Sequence, residues 1–468
     1  MSKTDFQNFE NNLFNQLKAE DKNCLSTIES NTKLIDECLN NEDFVKTFVN
    51  DFNNTVLEAK VKKYSLFESV LNHQLFGKVL ASFRQSDIMI RACKDVNRKA
   101  VEWLLTMKID YNYQDENGMN VLMYAAEKAS LGFALEKIMK GPIDINMVDN
   151  NGNNALFHAT ASPDNLKILL KKSKINKSQL NSDGESLLLY CCRYDKIRSF
   201  ELISKDKSFD PNICNAVGKT AAMYLVENAR FKEVKSFIKN NKIDPNYVNK
   251  FGQSLVSTFV KKYYQQYIGN IGETDFTSKL NYVNTKNYAL TMLSLIDLRC
   301  NFNIPIDEDG NTPIMVFLMM KDYVTAKYLL DKCDINLSIQ NKYNINASYL
   351  SLFIDEGIFD SLNYNKTRNA DTISFKALRK ALQNNKTFDS GHVNLDENIS
   401  VRPLVRYDSP YPINPNYAVI VNQWMMEIYY PNAVSEITLG GNTYDKTTNP
   451  RSYGSYAYRN NSGGLGTY

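Results

Sequence analysis

The sequence predicts an all-α chain whose middle is a solenoid of stacked helix pairs, and three observations predict it. Glycines at Gly118, Gly152, Gly184, Gly218, Gly252 and Gly310 fall 34, 32, 34, 34 and 58 residues apart. After each of these turns come two short apolar segments with residues spaced i, i+3 and i+4, the signature of a helix face. Five units then close on Asp-x-Asn, at Asp110 and Asn112, Asp144 and Asn146, Asp210 and Asn212, Asp244 and Asn246, and Asp334 and Asn336. A unit of this size cannot bury its apolar face alone, so neighbours must stack.

In chain order, residues 1–85 come first and lack the turn. Phe6, Phe9, Leu13 and Leu17 share one helical face, and Phe44, Phe48, Phe52 and Val56 another. Three or four helices are expected, with Ser65-Leu-Phe-Glu68 as a capping box ahead of Val70, Leu71, Leu75 and Val79. They read as a helical N-terminal cap on the first repeat, with an independent docking domain as the alternative.

The repeats run from about 86 to 365. Their turns read Asp115-Glu-Asn-Gly118, Asp149-Asn-Asn-Gly152, Asn181-Ser-Asp-Gly184, Asn249-Lys-Phe-Gly252 and Asp307-Glu-Asp-Gly310, with glycine where a positive φ is needed. First helices are expected at Val121–Ala126, Ala155–Ala159, Leu187–Cys191, Ala221–Leu225 and Pro313–Phe317. Second helices are expected at Val101–Leu105, Leu166–Leu170, Phe200–Ile203, Val234–Ile238 and Ala326–Leu330.

Turn, helix, helix and a finger ending in Asp-x-Asn at this period resembles the ankyrin repeat family, in about seven degenerate copies. The family's T-P-L-H-x-A signature is best kept at Thr312-Pro313-Ile314-Met315, with partial forms at Thr220–Met223 and Asn154–Phe157. Its histidine is replaced by Met123, Phe157, Leu189, Met223, Ser257 and Met315, so apolar packing is expected where the family uses hydrogen bonds. The resemblance implies a long concave recognition surface made by inner helices and fingers. The unit between Gly252 and Gly310 holds about 24 extra residues. With the inner helix placed near 253–266 and the outer near 286–299, the insertion falls at 267–285, either a tolerated surface loop or a partner-contacting element.

Past 366 the repeat fades. Residues 373–382 form an amphipathic segment expected to be a C-terminal capping helix, within a region bounded at 366–385. From 386 to 468 the composition turns to Asn, Ser, Pro, Gly and Tyr, and a largely disordered tail is expected. Inside it, residues 417–431 are too apolar to stay solvated. This segment either folds back on the array or docks into a partner.

Composition narrows the function. Lys plus Arg at 55 against Asp plus Glu at 52 is too even for a nucleic-acid or membrane-surface binder. No apolar run reaches the length of a membrane span, and the polar, mixed-charge opening residues lead to the expectation that the chain is not secreted by the usual signal. Eight cysteines with no C-x-x-C pair and only three histidines give no zinc site and no nucleophile beside a base, and phosphate-loop and hydrolase motifs are absent. No enzyme activity, cofactor or metal is expected. The reading is a non-enzymatic protein–protein interaction adaptor or scaffold, cytoplasmic or nuclear, monomeric outside a complex, with neither nucleic-acid binding nor membrane insertion. The alternatives are a regulatory or scaffolding subunit of a larger enzyme or trafficking complex, and a pathogen-encoded host-interaction factor. Candidate partner-binding residues are Tyr113, Met147, Tyr247 and Phe251 on fingers, Tyr194 at an inner-helix end, and Trp424, Met425 and Ile428 in the apolar segment. Aromatic and Met side chains in exposed turns are the ones that interfaces use.

Overall fold

The structure, a computed structural model, describes residues 3–268, 278–362, 374–383, 411, 413–431, 437–439 and 442–444. The chain divides into two compact units, Met1–Ala216 and Val217–Tyr468.

The first unit opens with α1 (Lys3–Lys18), α2 (Cys24–Ser30), α3 (Thr32–Leu39), α4 (Glu42–Glu58), α5 (Ser65–Leu71) and α6 (Gly77–Arg84). These are more and shorter helices than the three or four expected. The chain breaks at Asn23, Asn31 and Asn40–Asn41, where short amide side chains compete for backbone groups. Ser65 does not form the expected capping box. It is already helical, and the helix stops at Asn72 before the His73 ring nitrogen accepts the Leu75 N–H at 3.3 Å. The core of this region is aromatic: Phe48 meets Phe14 and Phe76, and Phe52 meets Phe67 and Phe83 edge-on. It runs into the first repeat through Trp103, which stacks on Tyr64 at 4.9 Å and also touches Phe67 and Phe83.

Four helix pairs follow: α7 (Ile88–Lys94) with α8 (Arg98–Leu104), α9 (Val121–Glu127) with α10 (Gly132–Ile138), α11 (Ala155–His158) with α12 (Pro163–Leu170), and α13 (Leu187–Arg193) with α14 (Ile197–Ile203). The first helix of each pair is the inner one and the second the outer. The Asp or Asn that opens a turn closes it with its own side chain. Asp115 Oδ1 accepts the Asn117 and Met119 N–H groups at 3.0 Å, and Asp149 and Asn181 repeat the pattern. Gly118 sits at φ +71, and a Cβ there would stand 2.8 Å from the Asn150 backbone nitrogen of the next finger. Glycine is therefore required twice over.

The asparagine of Asp-x-Asn joins one repeat to the next. Asn112 accepts the Asp144 N–H at 2.8 Å and donates to the Pro142 carbonyl at 3.0 Å; Asn146 does the same to Asn176 and Lys174. Outer helices add a second tie. Asn165 on α12 donates to the Ala125, Ala126 and Lys128 carbonyls that end the preceding inner helix, and Ser199 on α14 donates to Thr160. In the signature-histidine position, Met123, Phe157 and Leu189 are buried, as expected of apolar replacements.

The second unit holds α15 (Ala221–Glu227) with α16 (Phe231–Asn241), α17 (Leu255–Ile268) with α18 (Lys279–Asp297), α19 (Pro313–Met319) with α20 (Tyr323–Lys332), α21 (Ala347–Leu350) with α22 (Glu356–Asp360), then α23 (Phe375–Gln383) and α24 (Pro415–Tyr429). A turn without glycine opens the last pair: Asn341 Oδ1 accepts the Tyr343 and Ile345 N–H groups, and Asn344 takes φ +60 in the glycine's place. α23 lies where a C-terminal cap was expected, burying Leu378 and Leu382, with Ser348 donating to the Leu382 carbonyl.

One expectation changes here, and for the apolar tail segment the structure has the fold-back alternative. The insertion expected at 267–285 is helical where it is described: α17 is 14 residues long and α18 is 19, against seven for α15 and α19. Residues 269–277 lie outside the described set. Of the expected flexible tail, 386–468, most lies outside it too, but 413–431 folds back as α24, and a small antiparallel hairpin pairs β1 (Ile437–Leu439) with β2 (Asn442–Tyr444).

α24 lies between α18 and α20. Tyr429 stacks on Tyr328 of α20 at 4.4 Å while its hydroxyl reaches Met292 Sδ of α18 at 3.5 Å. Trp424 meets Tyr282 edge-on, and Tyr417 meets Tyr267. Asn422, wholly buried, accepts the Val324 N–H at 2.9 Å and donates to the Lys321 carbonyl at 2.6 Å, holding the α19–α20 turn. Within that turn Asp322 is buried. Its carboxylate accepts the Tyr263 hydroxyl at 2.7 Å and the Thr325 N–H at 3.2 Å, yet burial outweighs these bonds and raises its pKa to about 6.

Two expected outcomes follow from this packing. Leu169 is fully buried, so Leu169→Asp should cost several kcal/mol and lower the melting temperature, read by circular dichroism. Asp322 keeps a pKa above its unfolded value of 3.8, so its ionisation costs folding energy, and that cost disappears as pH falls from above 6 towards 4. Asp322→Asn, which still caps α20, should therefore gain stability over the natural chain at pH 7.5, keep about half of that advantage at pH 5 and lose most of it at pH 4. Urea melts at these pH values measure the difference, and a gap independent of pH would contradict it.

Candidate partner-binding surface

Along the turns and inner helices of the first unit, acidic side chains are matched by local partners. Lys94 Nζ lies 3.0 Å from Asp115 Oδ2, which also accepts the Tyr124 hydroxyl at 2.7 Å, and Lys94 sits 4.8 Å over the Tyr124 ring. One repeat on, His158 Nε2 is 3.0 Å from Asp149 Oδ2. Burial works against the charge on Asp149, but hydrogen bonds from His158 and Asn153 outweigh it and hold the carboxyl below the usual range. The next repeat pairs Arg193 with Asp183 and with Glu185, both at 2.9 Å, the Glu185 carboxylate being fully buried.

Aromatic side chains stand beside these pairs. Tyr194, at the end of α13, is 47% exposed; its ring lies 4.5 Å from Tyr190 and the Arg193 guanidinium covers it at 5.2 Å. Tyr113 projects from the finger after Asn112 at 37% exposure. Met147, on the next finger, is half-buried, its sulfur taking the Asn120 amide at 3.6 Å. In the second unit Tyr247 and Phe251 share one finger, Phe251 at 57% exposure with Lys250 5.0 Å above its ring.

The structure thus gathers Tyr194 with Tyr190 and Arg193, and Tyr247 with Phe251. Trp424 and Met425 are buried by α18 and α20, and Ile428 is half-buried; as they stand, the chain itself covers them. Sequence reading missed Tyr190, Val217, Val248 and Tyr343. Val217 and Tyr343 hold the third turn position that Phe251 holds, and are exposed in the same way. That register was available in the sequence for Val217, but Tyr343 was hidden by the missing glycine.

Among the described residues no His, Cys, Asp and Glu side chains group to hold a metal, and no helix is long and apolar enough to cross a membrane.

Residues 88–179 match the family model for ankyrin repeats in three copies, so the chain carries ankyrin repeats, a protein–protein interaction module. No curated protein matches the sequence. Among solved structures, a chain in the complex of a predatory endopeptidase from Bdellovibrio bacteriovorus with an immunity protein is similar at 24% identity, covering 39% of this chain and 94% of that one, with a TM-score of 0.34.

Tyr194 and Arg193 should separate on substitution. Tyr194→Ala, at a half-exposed site, should shift the melting temperature by no more than about 1–2 °C. Arg193→Ala removes the cation that balances Glu185 and should cost about 1–3 kcal/mol, read by urea denaturation.

Proposed function

We propose that the chain is a non-enzymatic adaptor whose turn-and-inner-helix surfaces grip a protein partner through aromatic anchors. The observation that carries this reading is the set of exposed aromatics, Tyr113 and Tyr194 in the first unit, where they stand beside ion pairs already closed internally, and Tyr247 and Phe251 in the second. Aromatics bring large contact area at little entropic cost, and mutually satisfied ion pairs can be covered without leaving a charge unmatched. Met147, half-buried, fits the edge of such a surface. A reducing, cytoplasmic setting is supported by the eight free cysteines, five of them buried.

The reading is tested by affinity capture of the full chain from its source cells with quantitative mass spectrometry. The paired variants Tyr113→Ala with Tyr194→Ala, and Tyr247→Ala with Phe251→Ala, should each reduce capture of a common protein by about tenfold or more while the melting temperature holds. Capture unaffected by all four changes would overturn it. Recovery of a fixed stoichiometric assembly would favour a scaffolding subunit over an exchangeable adaptor.

A further inference from the structure

In the first unit, the acid that opens a turn is met by a side chain nine residues on, in its own inner helix: Tyr124 on Asp115 and His158 on Asp149. In the second unit, Asp307 has Val316 at that position, fully buried and with no group to donate. The hydroxyl comes instead from Tyr411, 104 residues downstream, which donates to Asp307 Oδ2 at 2.5 Å. Its ring is buried edge-on against Tyr264 of α17 at 4.7 Å. Six residues later Tyr417 packs on Tyr267, and α24 continues between α18 and α20 to Tyr430, whose hydroxyl donates to Asp331 at 2.8 Å. The chain is therefore seated on itself, from the inner helix α17 at Tyr264 and Tyr267 into the groove between the outer helices α18 and α20.

α24 is also organised as a discrete element. Pro415 starts it, and Asn414 caps it by accepting the Asn416 and Tyr417 N–H groups, so its first turn is satisfied from within. Its polar ties to the array include Asn422 to the α19–α20 turn and the Tyr430 hydroxyl to Asp331, with Tyr411 just ahead of it bonded to Asp307.

We propose that the surface running from Tyr264 and Asp307 into the α18–α20 groove is a recognition site for a tyrosine-led aromatic helix, that Tyr411 and residues 413–430 fill it as a tethered ligand, and that a partner segment of the same chemistry enters by exchange. The occupant is defined by what is seated there: a tyrosine whose hydroxyl reaches a turn carboxylate, then a helix with aromatic side chains on both flanks and an asparagine between them. A tethered copy competes at an effective concentration that a free segment must match, so the natural chain is a weak receptor and loosening the tether strengthens it. This site is separate from the first-unit surface, and its failure would leave the adaptor reading standing.

The test uses the full chain and a fluorescein-labelled peptide of residues 409–431, titrated by fluorescence anisotropy. Tyr411→Ala combined with Asn422→Ala should bind the peptide about tenfold or more tighter than the natural chain, and adding Asp307→Asn should weaken that binding. Asparagine is a safe replacement because Asn181, Asn249 and Asn341 close the equivalent turns. Should the double variant lose helicity by circular dichroism, Tyr411→Phe, which keeps the ring and removes the hydroxyl, takes its place, with a smaller gain expected. Equal affinity for variant and natural chain, or no binding to any helical variant, would overturn the proposal and make α24 a permanent part of the core. Concentration-dependent dimers of the natural chain in light scattering would overturn it in favour of exchange between two copies.

Discussion

The asparagine side chain that ends a finger, at Asn112, Asn146, Asn246 and Asn303, is the constraint on which the repeat register depends. One amide both accepts from and donates to the backbone of the following finger, so the two fingers sit at a fixed separation that a side chain of this length cannot stretch. Each bond is worth only about 1 kcal/mol net, yet the cost of leaving it unmade makes the spacing strict. Asn246 shows what the constraint permits. It accepts the Asn301 N–H at 2.6 Å and donates to the Arg299 carbonyl at 3.4 Å, 53 to 55 residues away, as Asn112 does over 30 to 32. Asn303 resumes the pattern to Asn336 and Asp334. Extra chain is therefore accepted at the far ends of the helices, where it leaves the fingers undisturbed.

That freedom creates a packing problem which α24 resolves. Doubling α17 and extending α18 carries Tyr264, Tyr267 and Tyr282 beyond what α19 and α20, at seven and ten residues, can cover. A helix from far downstream brings Tyr411, Tyr417 and Trp424 to those rings. It must also satisfy the turn it crosses, and Asn422 does so. Elsewhere the next outer helix performs that task, through Asn165 or Ser199. The insertion and the apolar tail segment, two separate anomalies in the sequence, are halves of one interface.

What the sequence revealed and what it hid divide along the same line. The period, the turns and the buried inner helices were legible because each rests on a local requirement: a positive φ at Gly118, a side chain closing its own turn at Asp115, apolar spacing within seven residues. Asn344 escaped because asparagine tolerates the left-handed region that glycine advertises. The finger ends Asn176 and Asn301 were also missed: their side chains close on Ser178 and Asn303 N–H groups as the aspartates do, but they carry no acid to mark them. The breaks among α2, α3 and α4 went unread because short amide residues end helices only where tertiary packing does not favour continuing. The docking of α24 depends on partners about 100 residues away, and no local pattern encodes it. Of the candidate site, exposure of finger aromatics was foreseen from residue type, whereas burial of Trp424 and Met425 needed the groove that receives them.

The two units present different turn tips, and this bears on how each would recognise a partner. At the third turn position the first unit has Asn117, Asn151 and Asp183, while the second has Val217, Phe251 and Tyr343, with Asp309 the polar exception. Lys250 and Lys342 lie over the rings of Phe251 and Tyr343, which shields one face of each ring from water without covering it in protein. On the proposed adaptor function, the first unit offers a partner paired charges and aromatics at helix ends, and the second offers apolar tips on its fingers. Because the ion pairs of the first unit are closed among themselves, net charge gives a partner little purchase there, and on the proposed function selectivity comes from the shape around Tyr190, Arg193 and Tyr194. In the second unit, desolvating Phe251 and Tyr343 is itself favourable, so affinity grows with apolar area covered, at roughly 25 cal/mol per Å², and selectivity depends on whether a partner's apolar groups match the spacing that the asparagine clamps impose.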